Sequence, residues 1–376
     1  NPSAIGTSGN DDIYTWDQTV NPYGRDKIEE YKINTLVPRK YGAILSWLAA
    51  DGKDEEQTDG IAASEAIEKL DDFANTDTPF FLAVGFFRPH TPFVAPKKYF
   101  DLYEREKIEI PEISSDYLAT LPELAVKSVR AKESQLNLEK ERAQEIKEAY
   151  YATISFVDAQ VGRILDQLET SGLDKNTVVV FTSDHGYHLG EHGHWQKNTL
   201  FENATRVPLI ISAPSSENKG VKSISPVELI DLYPTLMDLT NINTPEHVVG
   251  KSLKPIMKNV NASVRESALT RWRKGYSIKT KRYRLTKWGR NGELGYELYD
   301  HKNDKNELIN LASNQDYSEV MDSLKVAIEQ RIADASIKPK GLGRQFENAK
   351  PMFKAKNITF GDTHNLNGEI NYFKKK

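Results

Sequence analysis

Apolar residues recur along the chain with the periods of helices and strands. In residues 58–73 and 141–172 they repeat every three or four positions, which predicts two amphipathic helices, the second of them long. Residues 80–87, 177–182 and 207–212 are instead short continuous apolar runs, as expected for strands covered on both faces. Strands and helices in this succession predict an α/β fold with a mostly parallel sheet flanked by helices.

After residue 250 the pattern changes to short alternating stretches separated by turn residues. They lie at residues 267–270, 275–278, 283–288 and 295–299 and precede a helical pattern at 318–333. We therefore expect a main domain over residues 1–260 and a smaller C-terminal antiparallel-sheet α+β subdomain, with a tail, over residues 261–376. The polar first 55 residues are predicted to form a surface excursion that is anchored by the short apolar stretch Tyr41–Ala50, and residues 94–140 are predicted to form long loops.

Composition excludes several functions. With 50 basic and 54 acidic residues the formal net charge is -4, so no broad positive field is present for nucleic acid or an anionic membrane. No apolar run approaches the roughly 20 residues of a bilayer-spanning helix. The chain has no cysteine, which excludes disulfides, thiolate metal sites and a cysteine nucleophile within it.

Histidines concentrate in one short segment. Four of the eight in the chain lie within residues 183–197, directly after the predicted strand at 177–182. Ligands of open α/β sheets bind beyond the carboxyl ends of strands, and there Asp184 and His185 place a carboxylate beside an imidazole. This arrangement predicts a Ca²⁺ or Mg²⁺ site, although a strand-end aspartate such as Asp184 can instead serve as a structural cap.

Two further residues are candidates for holding an anion. Lys197 follows the histidines and is a point charge of the kind that binds sulfate or phosphate oxygens, although a single loop lysine is usually only solvated. His90 follows the predicted strand at 80–87, and Pro89 and Pro92 restrict the backbone on both sides of it. A structural and a functional role for His90 are both open at this point.

Several segments resemble the sulfatase family, and within it the iduronate-2-sulfatase branch. They follow the family's order between about residues 60 and 311, and residues 183–197 (SDHGYHLGEHGHWQK) are the most specific of them. The other matching stretches are residues 79–93, 151–165, 205–210, 227–236, 275–278 and 297–300. The resemblance implies an alkaline-phosphatase-like fold and hydrolysis of sulfate monoesters of a sulfated sugar or polysaccharide, a uronate or related residue.

The resemblance also implies roles for individual residues. Asp184 and His185 would be calcium ligands, while Lys197 and His90 would hold the sulfate ester and assist departure of the alcohol. His192 would contact the substrate. His188 and His194 are expected to be neighbours without a role, and Arg206 and Asp231 to be structural.

The family's nucleophile is a formylglycine made from the Cys or Ser of a C/S-x-P-x-R motif, and this sequence does not contain it. Residues 3–7 (SAIGT) lack the proline and the arginine, and the pair Asp11–Asp12 is not on an apolar strand that would make it the family's metal-binding pair. We expect either a separate N-terminal polypeptide of the same enzyme or an incompletely recorded sequence, in preference to an inactive truncation, because a sheet without its first strands exposes edges and core.

Two other functions stay open. One is a phosphodiesterase or phosphonate monoester hydrolase of the same superfamily. The other is a non-catalytic protein that binds sulfated glycans through His90 and Lys197. Because sulfated polysaccharides are degraded outside the cytoplasm, a periplasmic or secreted location is expected.

Overall fold

The computed structural model describes residues 16–337 apart from residues 215 and 217, and nothing of the Ser115 side chain. The segment 3–7, the pair Asp11–Asp12 and the tail from residue 338 lie outside the described residues. The described chain divides into two compact units: unit one holds residues 16–110 and 138–175, and unit two holds residues 111–137 and 176–337. The boundary predicted at residue 260 lies inside unit two and stays a prediction.

Both units contain helices and strands. The α-helices are α1 (Arg25–Ile28), α2 (Thr58–Ala74), α3 (Lys97–Phe100), α4 (Ser115–Ala119), α5 (Glu123–Val129), α6 (Lys140–Thr170), α7 (Glu202–Thr205), α8 (Leu232–Leu239), α9 (Lys254–Lys258) and α10 (Ser318–Ala335). The strands are β1 (Asn34–Thr35), β2 (Ser46–Ala50), β3 (Phe93–Pro96), β4 (Val179–Thr182), β5 (His188–Leu189), β6 (Trp195–Gln196), β7 (Leu209–Ser212), β8 (Ala268–Trp272), β9 (Gly275–Lys279), β10 (Tyr283–Trp288) and β11 (Tyr296–Asp300). No helix of the described residues combines the length and apolar character needed to cross a bilayer.

In unit one the long helix α6 packs against a small sheet, and α2 packs against α6. Its strands lie in the order β1-β2-β3, with β2 parallel to β3 and antiparallel to β1. The buried face of α6 includes Ile146 and Phe156, and Phe93 of β3 meets Tyr150 of α6 edge to face. Both helices predicted from periodicity are therefore present, as α2 and α6, with their apolar faces inside.

Residues 80–87, which were predicted to form a strand, pair with no strand among the described residues. Exposure alternates along most of this segment, the period of extended backbone, and Phe81 is 70% exposed. Within the first 55 residues the strand β2 is largely buried and lies in the apolar stretch Tyr41–Ala50 that was predicted to anchor this segment. The prediction of long loops at residues 94–140 was wrong in detail, because this range contains α3, α4 and α5.

Unit two contains the predicted C-terminal sheet. Strands β8 to β11 form an antiparallel sheet in the order β11-β10-β9-β8, and α10 packs against it. Ile278 and Leu285 of the sheet share a core with Leu324 and Ile328 of the helix. The alternation and the turn residues of the sequence thus predicted this antiparallel sheet and its helix correctly.

The other predicted strands of unit two form β4 and β7. They pair antiparallel, with Phe181 opposite Ile210, so β2 and β3 are the parallel pair among the described strands. A short apolar run indicates a covered strand but carries no direction, since direction is set by how the connections return to the sheet. The antiparallel pairing of β4 with β7 is therefore known from the structure and not from the sequence.

Candidate active site

The turn after β4 carries the two predicted metal ligands. Its backbone is held by the Gly186 N–H, which donates to the Ala204 carbonyl at 2.8 Å, and a Cβ at residue 186 would lie 2.0 Å from the Asn203 carbonyl oxygen. Only glycine, which has no Cβ, can lie this close to the Asn203 carbonyl oxygen. The turn thereby presents Asp184 with its side chain 83% exposed and His185 partly buried beside it.

Hydrogen bonding defines which nitrogen of His185 is free to bind a cation. Its Nδ1 lies 2.8 Å from the Gly186 carbonyl oxygen, which only accepts, so Nδ1 carries the proton and Nε2 the lone pair. Nε2 in turn lies 3.4 Å from Oδ2 of Asp184. Two lone-pair atoms facing each other at this distance suit a shared cation, and a backbone carbonyl holding the other ring nitrogen is the usual arrangement of a ligating histidine.

These two residues fit a metal but do not complete a calcium site. Ca²⁺ takes about six to eight mostly oxygen ligands, and this turn offers one carboxylate and one imidazole. A full site at Asp184 therefore needs further oxygen ligands.

Lys197 shares a groove of unit two with this turn. Asp184, His185 and Lys197 all line it. Burial lowers the pKa of Lys197, and the negative charge of Asp184 acts in the opposite direction. The ammonium group is therefore partly desolvated and within electrostatic reach of Asp184, as a group that holds an anion beside a metal site would be.

Lys132 is a further candidate for holding an anion, and the sequence did not reveal it. Its Nζ donates a hydrogen bond to Oε1 of Gln196, the neighbour of Lys197, and the Gln196 Nε2 donates to Oε1 of Gln135 at 3.1 Å. Burial and the nearby charge of Lys197 both lower the pKa of Lys132. Residues 94–140 show no period or motif that singles out Lys132, because its position depends on contacts across 64 residues of chain.

His90 lies in unit one, at the end of the extended segment 80–87. The N–H groups of Phe87 and Arg88 donate to the Asp59 carboxylate at 2.9 Å, and Nη2 of Arg88 pairs with Oδ2 of Asp26 at 2.6 Å. These buried contacts hold the backbone just before His90. Its Nδ1 lies 2.6 Å from the Thr91 carbonyl oxygen, which leaves Nε2 as the lone-pair nitrogen. Its predicted role beside Asp184, His185 and Lys197, which lie in unit two, stays a prediction.

The other three histidines of the motif form a buried cluster. Ring centroids of His192 and His194 lie 5.5 and 5.0 Å from that of His188, and His192 stacks on Phe201 at 3.9 Å. Burial lowers the pKa of His192 and of His194 to about 4. Neutral imidazoles thus pack the loop that carries Lys197.

His192 was expected to contact the substrate, and its surroundings favour packing instead. It is 1% exposed, and its Nδ1 lies 2.5 Å from the hydroxyl of Tyr117. A direct contact would require this core to open, so the substrate contact stays only a prediction.

Of the two residues expected to be structural, Asp231 is fully buried and paired with Arg265, whose Nε lies 3.0 Å from Oδ2. The Lys251 N–H also donates to its Oδ1 at 2.8 Å. Arg206, in contrast, is largely exposed and lines the groove.

Comparison with known proteins identifies the family. The family model described as Sulfatase matches residues 3–242, more than half of the chain. The chain belongs to the sulfatase family. A second model, described as N-sulphoglucosamine sulphohydrolase, C-terminal, matches residues 190–334 of this sulfatase-family chain.

Individual relatives agree with this assignment. A protein of Formosa agariphila named Sulfatase is 35% identical over 77% of this chain and 57% of its own length. The human iduronate 2-sulfatase is 34% identical over 50% of this chain and 40% of its own length. The chain thus spans only about half the length of the curated relatives it matches.

The fold of this sulfatase-family chain is shared with solved structures. Phosphonate monoester hydrolase of Agrobacterium radiobacter matches with a TM-score of 0.66 at 23% identity, over 76% of this chain and 62% of that one. The α/β class predicted from the sequence, with its smaller antiparallel sheet, is confirmed by this likeness.

Proposed function

We propose that the chain is part of a sulfatase that hydrolyses sulfate monoesters of a sulfated sugar or polysaccharide, using a formylglycine nucleophile and calcium. Family membership and relatives named as sulfatases support the reaction class. The observation that carries the proposal is that Asp184, His185 and Lys197 open onto one groove of unit two.

Each residue has a defined task in this proposal. Asp184 and His185 would hold the divalent cation, and Lys197 would offset negative charge on the sulfate oxygens. When bound, the cation adds positive charge at the sulfate, and the formylglycine supplies the nucleophilic oxygen. His90 donates a proton from Nε2 to the departing alcohol oxygen, for which it must first be protonated.

The pair of lysines supports a sulfated uronate as substrate. Lys132 and Lys197 are close enough for their charges to interact, although each ammonium is partly desolvated. A sugar that carries both a sulfate ester and a carboxylate has two negative groups for these two positive ones. The likeness to the human iduronate 2-sulfatase points to the same class of substrate.

The function can be tested on the product of the complete gene, loaded with calcium. We expect it to hydrolyse a sulfated uronate, and Lys197→Met and Asp184→Asn to reduce kcat/KM by about 10²–10³. Lys219→Met is the matched control, since Lys219 is an exposed lysine that lines the same groove. Lys132→Gln is expected to raise KM for the sulfated uronate more than for a sulfated sugar without a carboxylate.

The same preparation distinguishes the alternatives. Faster turnover of a phosphonate monoester or a phosphodiester would replace the sulfatase proposal by the second enzymatic one. Binding of the sulfated uronate without any hydrolysis would favour a non-catalytic glycan-binding protein.

A periplasmic or secreted location is part of the proposal. Recovery of the protein in the periplasmic fraction or the medium of its source cells is the expected result. Recovery in the cytoplasmic fraction alone would contradict it.

A further inference from the structure

The groove that holds Asp184, His185 and Lys197 is far more basic than the chain as a whole. Twelve of the described residues that line it are lysine or arginine, and four are aspartate or glutamate. The whole chain, in contrast, contains 50 basic and 54 acidic residues. Positive charge is therefore concentrated on this concave surface, and a concave surface of one sign attracts ligands of the opposite sign.

Part of this charge lies beside the candidate metal turn. A Cβ at Gly186 would lie 2.7 Å from the carbonyl oxygen of Arg206, so these two backbone segments are in contact. The Arg206 side chain is 78% exposed, and its ion pair with Glu202 is long, at 3.9 Å between Nη1 and Oε1. The guanidinium group therefore keeps N–H groups that can donate to a ligand in the groove.

The C-terminal sheet continues this series of charges. Lys279, the last residue of β9, lies directly opposite Arg284 of β10. Burial lowers the pKa of Lys279, and the nearby charges of Arg284 and Arg206 act in the same direction. Arg284 is itself paired with the carboxylates of Glu202 and Glu307. Lys279 instead donates to a backbone carbonyl oxygen at 2.6 Å, so its charge is not compensated in this way.

Two exposed lysines extend the series further. Lys281 lies in the turn between β9 and β10, and Lys305 lies in the loop after β11. The turn and the loop are neighbours, since the His301 N–H donates to the Arg282 carbonyl oxygen at 2.9 Å. Both lysines line the groove, and neither forms an ion pair with any residue that the structure describes. We call the following four residues the basic rim: Arg206, Lys279, Lys281 and Lys305.

We infer that the basic rim binds an anionic group, a sulfate ester or a carboxylate, on a second sugar of a polyanionic glycan whose first sugar carries the reacting sulfate. This inference rests on the proposed function and deepens it, because it makes a chain of sugars a better substrate than a single sugar. Lys132 and Lys197 already match the two negative groups of one sulfated uronate. The charges of the basic rim are therefore left for a neighbouring sugar of the same glycan.

The position and the chemistry of the basic rim both suit such a ligand. The rim begins at Arg206, beside the metal turn, and ends several side chains away at Lys281 and Lys305. A glycan that places one sulfate at the turn and continues along the groove would pass these charges in order. Lysine is a flexible point charge with three donors, which accommodates sulfate and carboxylate groups at varying positions.

The test compares two double variants of the calcium-loaded product of the complete gene. Lys281→Ser/Lys305→Ser removes two charges of the basic rim. Lys274→Ser/Lys302→Ser is the matched control, because it removes two exposed lysines near the same strands that are not among the described residues lining the groove. Binding of a fluorescently labelled heparin tetrasaccharide is followed by anisotropy. The affinity for a single sulfated uronate is measured by its competition with this tetrasaccharide.

We expect the rim variant to bind the tetrasaccharide about tenfold more weakly than the wild type, and the control to differ from the wild type by less than about twofold. The affinity for the single sulfated uronate should be the same in all three proteins. The loss in the rim variant should also shrink at high ionic strength, because contacts between exposed charges are screened by salt.

Four outcomes would overturn the inference: no binding of the tetrasaccharide by the wild type, equal losses in the two double variants, an equal loss for the single sugar, or tighter binding of a single-stranded DNA of the same charge. Sulfate release is measured separately in the same preparations. The expected loss of binding without any sulfate release would retain the inference and reject the proposed reaction. Hydrolysis of the sulfated uronate with equal tetrasaccharide affinity in both double variants would do the reverse.

Discussion

Acidification is predicted to destabilise unit two through His194. This side chain is 4% exposed, its Nδ1 lies 3.0 Å from the Val129 carbonyl oxygen, and its Nε2 has no hydrogen-bond partner among the described residues. Protonation would place a charge and an unpaired N–H in this buried position. Burial accordingly lowers the pKa of His194 from 6.5 to about 4.

The sign and size of the effect follow from linkage. The folded state binds fewer protons than the unfolded state between the two pKa values, so the stability present above pH 6.5 is lost as the pH falls toward 4. A pH of 5 is 1.5 units below the pKa of 6.5 of the unfolded side chain, which is therefore protonated, whereas the folded side chain is still mostly neutral. At about 1.36 kcal/mol per unit, the loss is about 2 kcal/mol relative to pH 7.5.

The assay is urea unfolding at pH 7.5 and pH 5, followed by tryptophan fluorescence, for the wild type and His194→Asn. Asparagine retains an N–H near the position of Nδ1 but does not titrate, so the variant should lose about 2 kcal/mol less than the wild type between the two pH values. His247→Asn, at an exposed histidine, is the control and should behave as the wild type. Equal losses in the wild type and His194→Asn would refute the reasoning.

Three further predictions test the structure. Asp231→Ala removes one of the two carboxylates that pair with the buried Arg265, the other being that of Glu228, and should lower the free energy of unfolding by about 3 kcal/mol. Asp238→Ala, at a more exposed pair, should cost about 1 kcal/mol or less, and both are measured by urea unfolding. Lys197→Met removes a partly desolvated charge, so it should reduce kcat/KM by about 10²–10³ without lowering the thermal midpoint; a lower midpoint would indicate a structural lysine. Burial raises the pKa of Glu297 to about 7, so the contribution of this side chain to stability should fall by about 2.5 kcal/mol from pH 5 to 8; the difference in unfolding free energy between the wild type and Glu297→Gln should change by that amount over this range.

The sequence alone determined the elements whose residues interact locally. Helices α2, α6 and α10 and strands β8 to β11 lie within a few residues of their predicted bounds, because their apolar periods record which face each element buries. The turn that carries the candidate site could also be located from the sequence, since Asp184, His185 and Lys197 lie in one short motif after a recognisable strand.

Only the tertiary structure decided which residues meet across long separations. In the tertiary structure Lys132 contacts Gln196, and His192 contacts Tyr117. Lys132, which the sequence did not single out, therefore lies near Lys197, whereas His192, which was expected to contact the substrate, is buried. The tertiary structure also shows that β4 and β7 are antiparallel and that residues 80–87 pair with no strand in the part of the chain that it describes. Apolar periodicity records that a face is covered but neither the partner nor the strand direction, because both depend on how distant segments return to the same core.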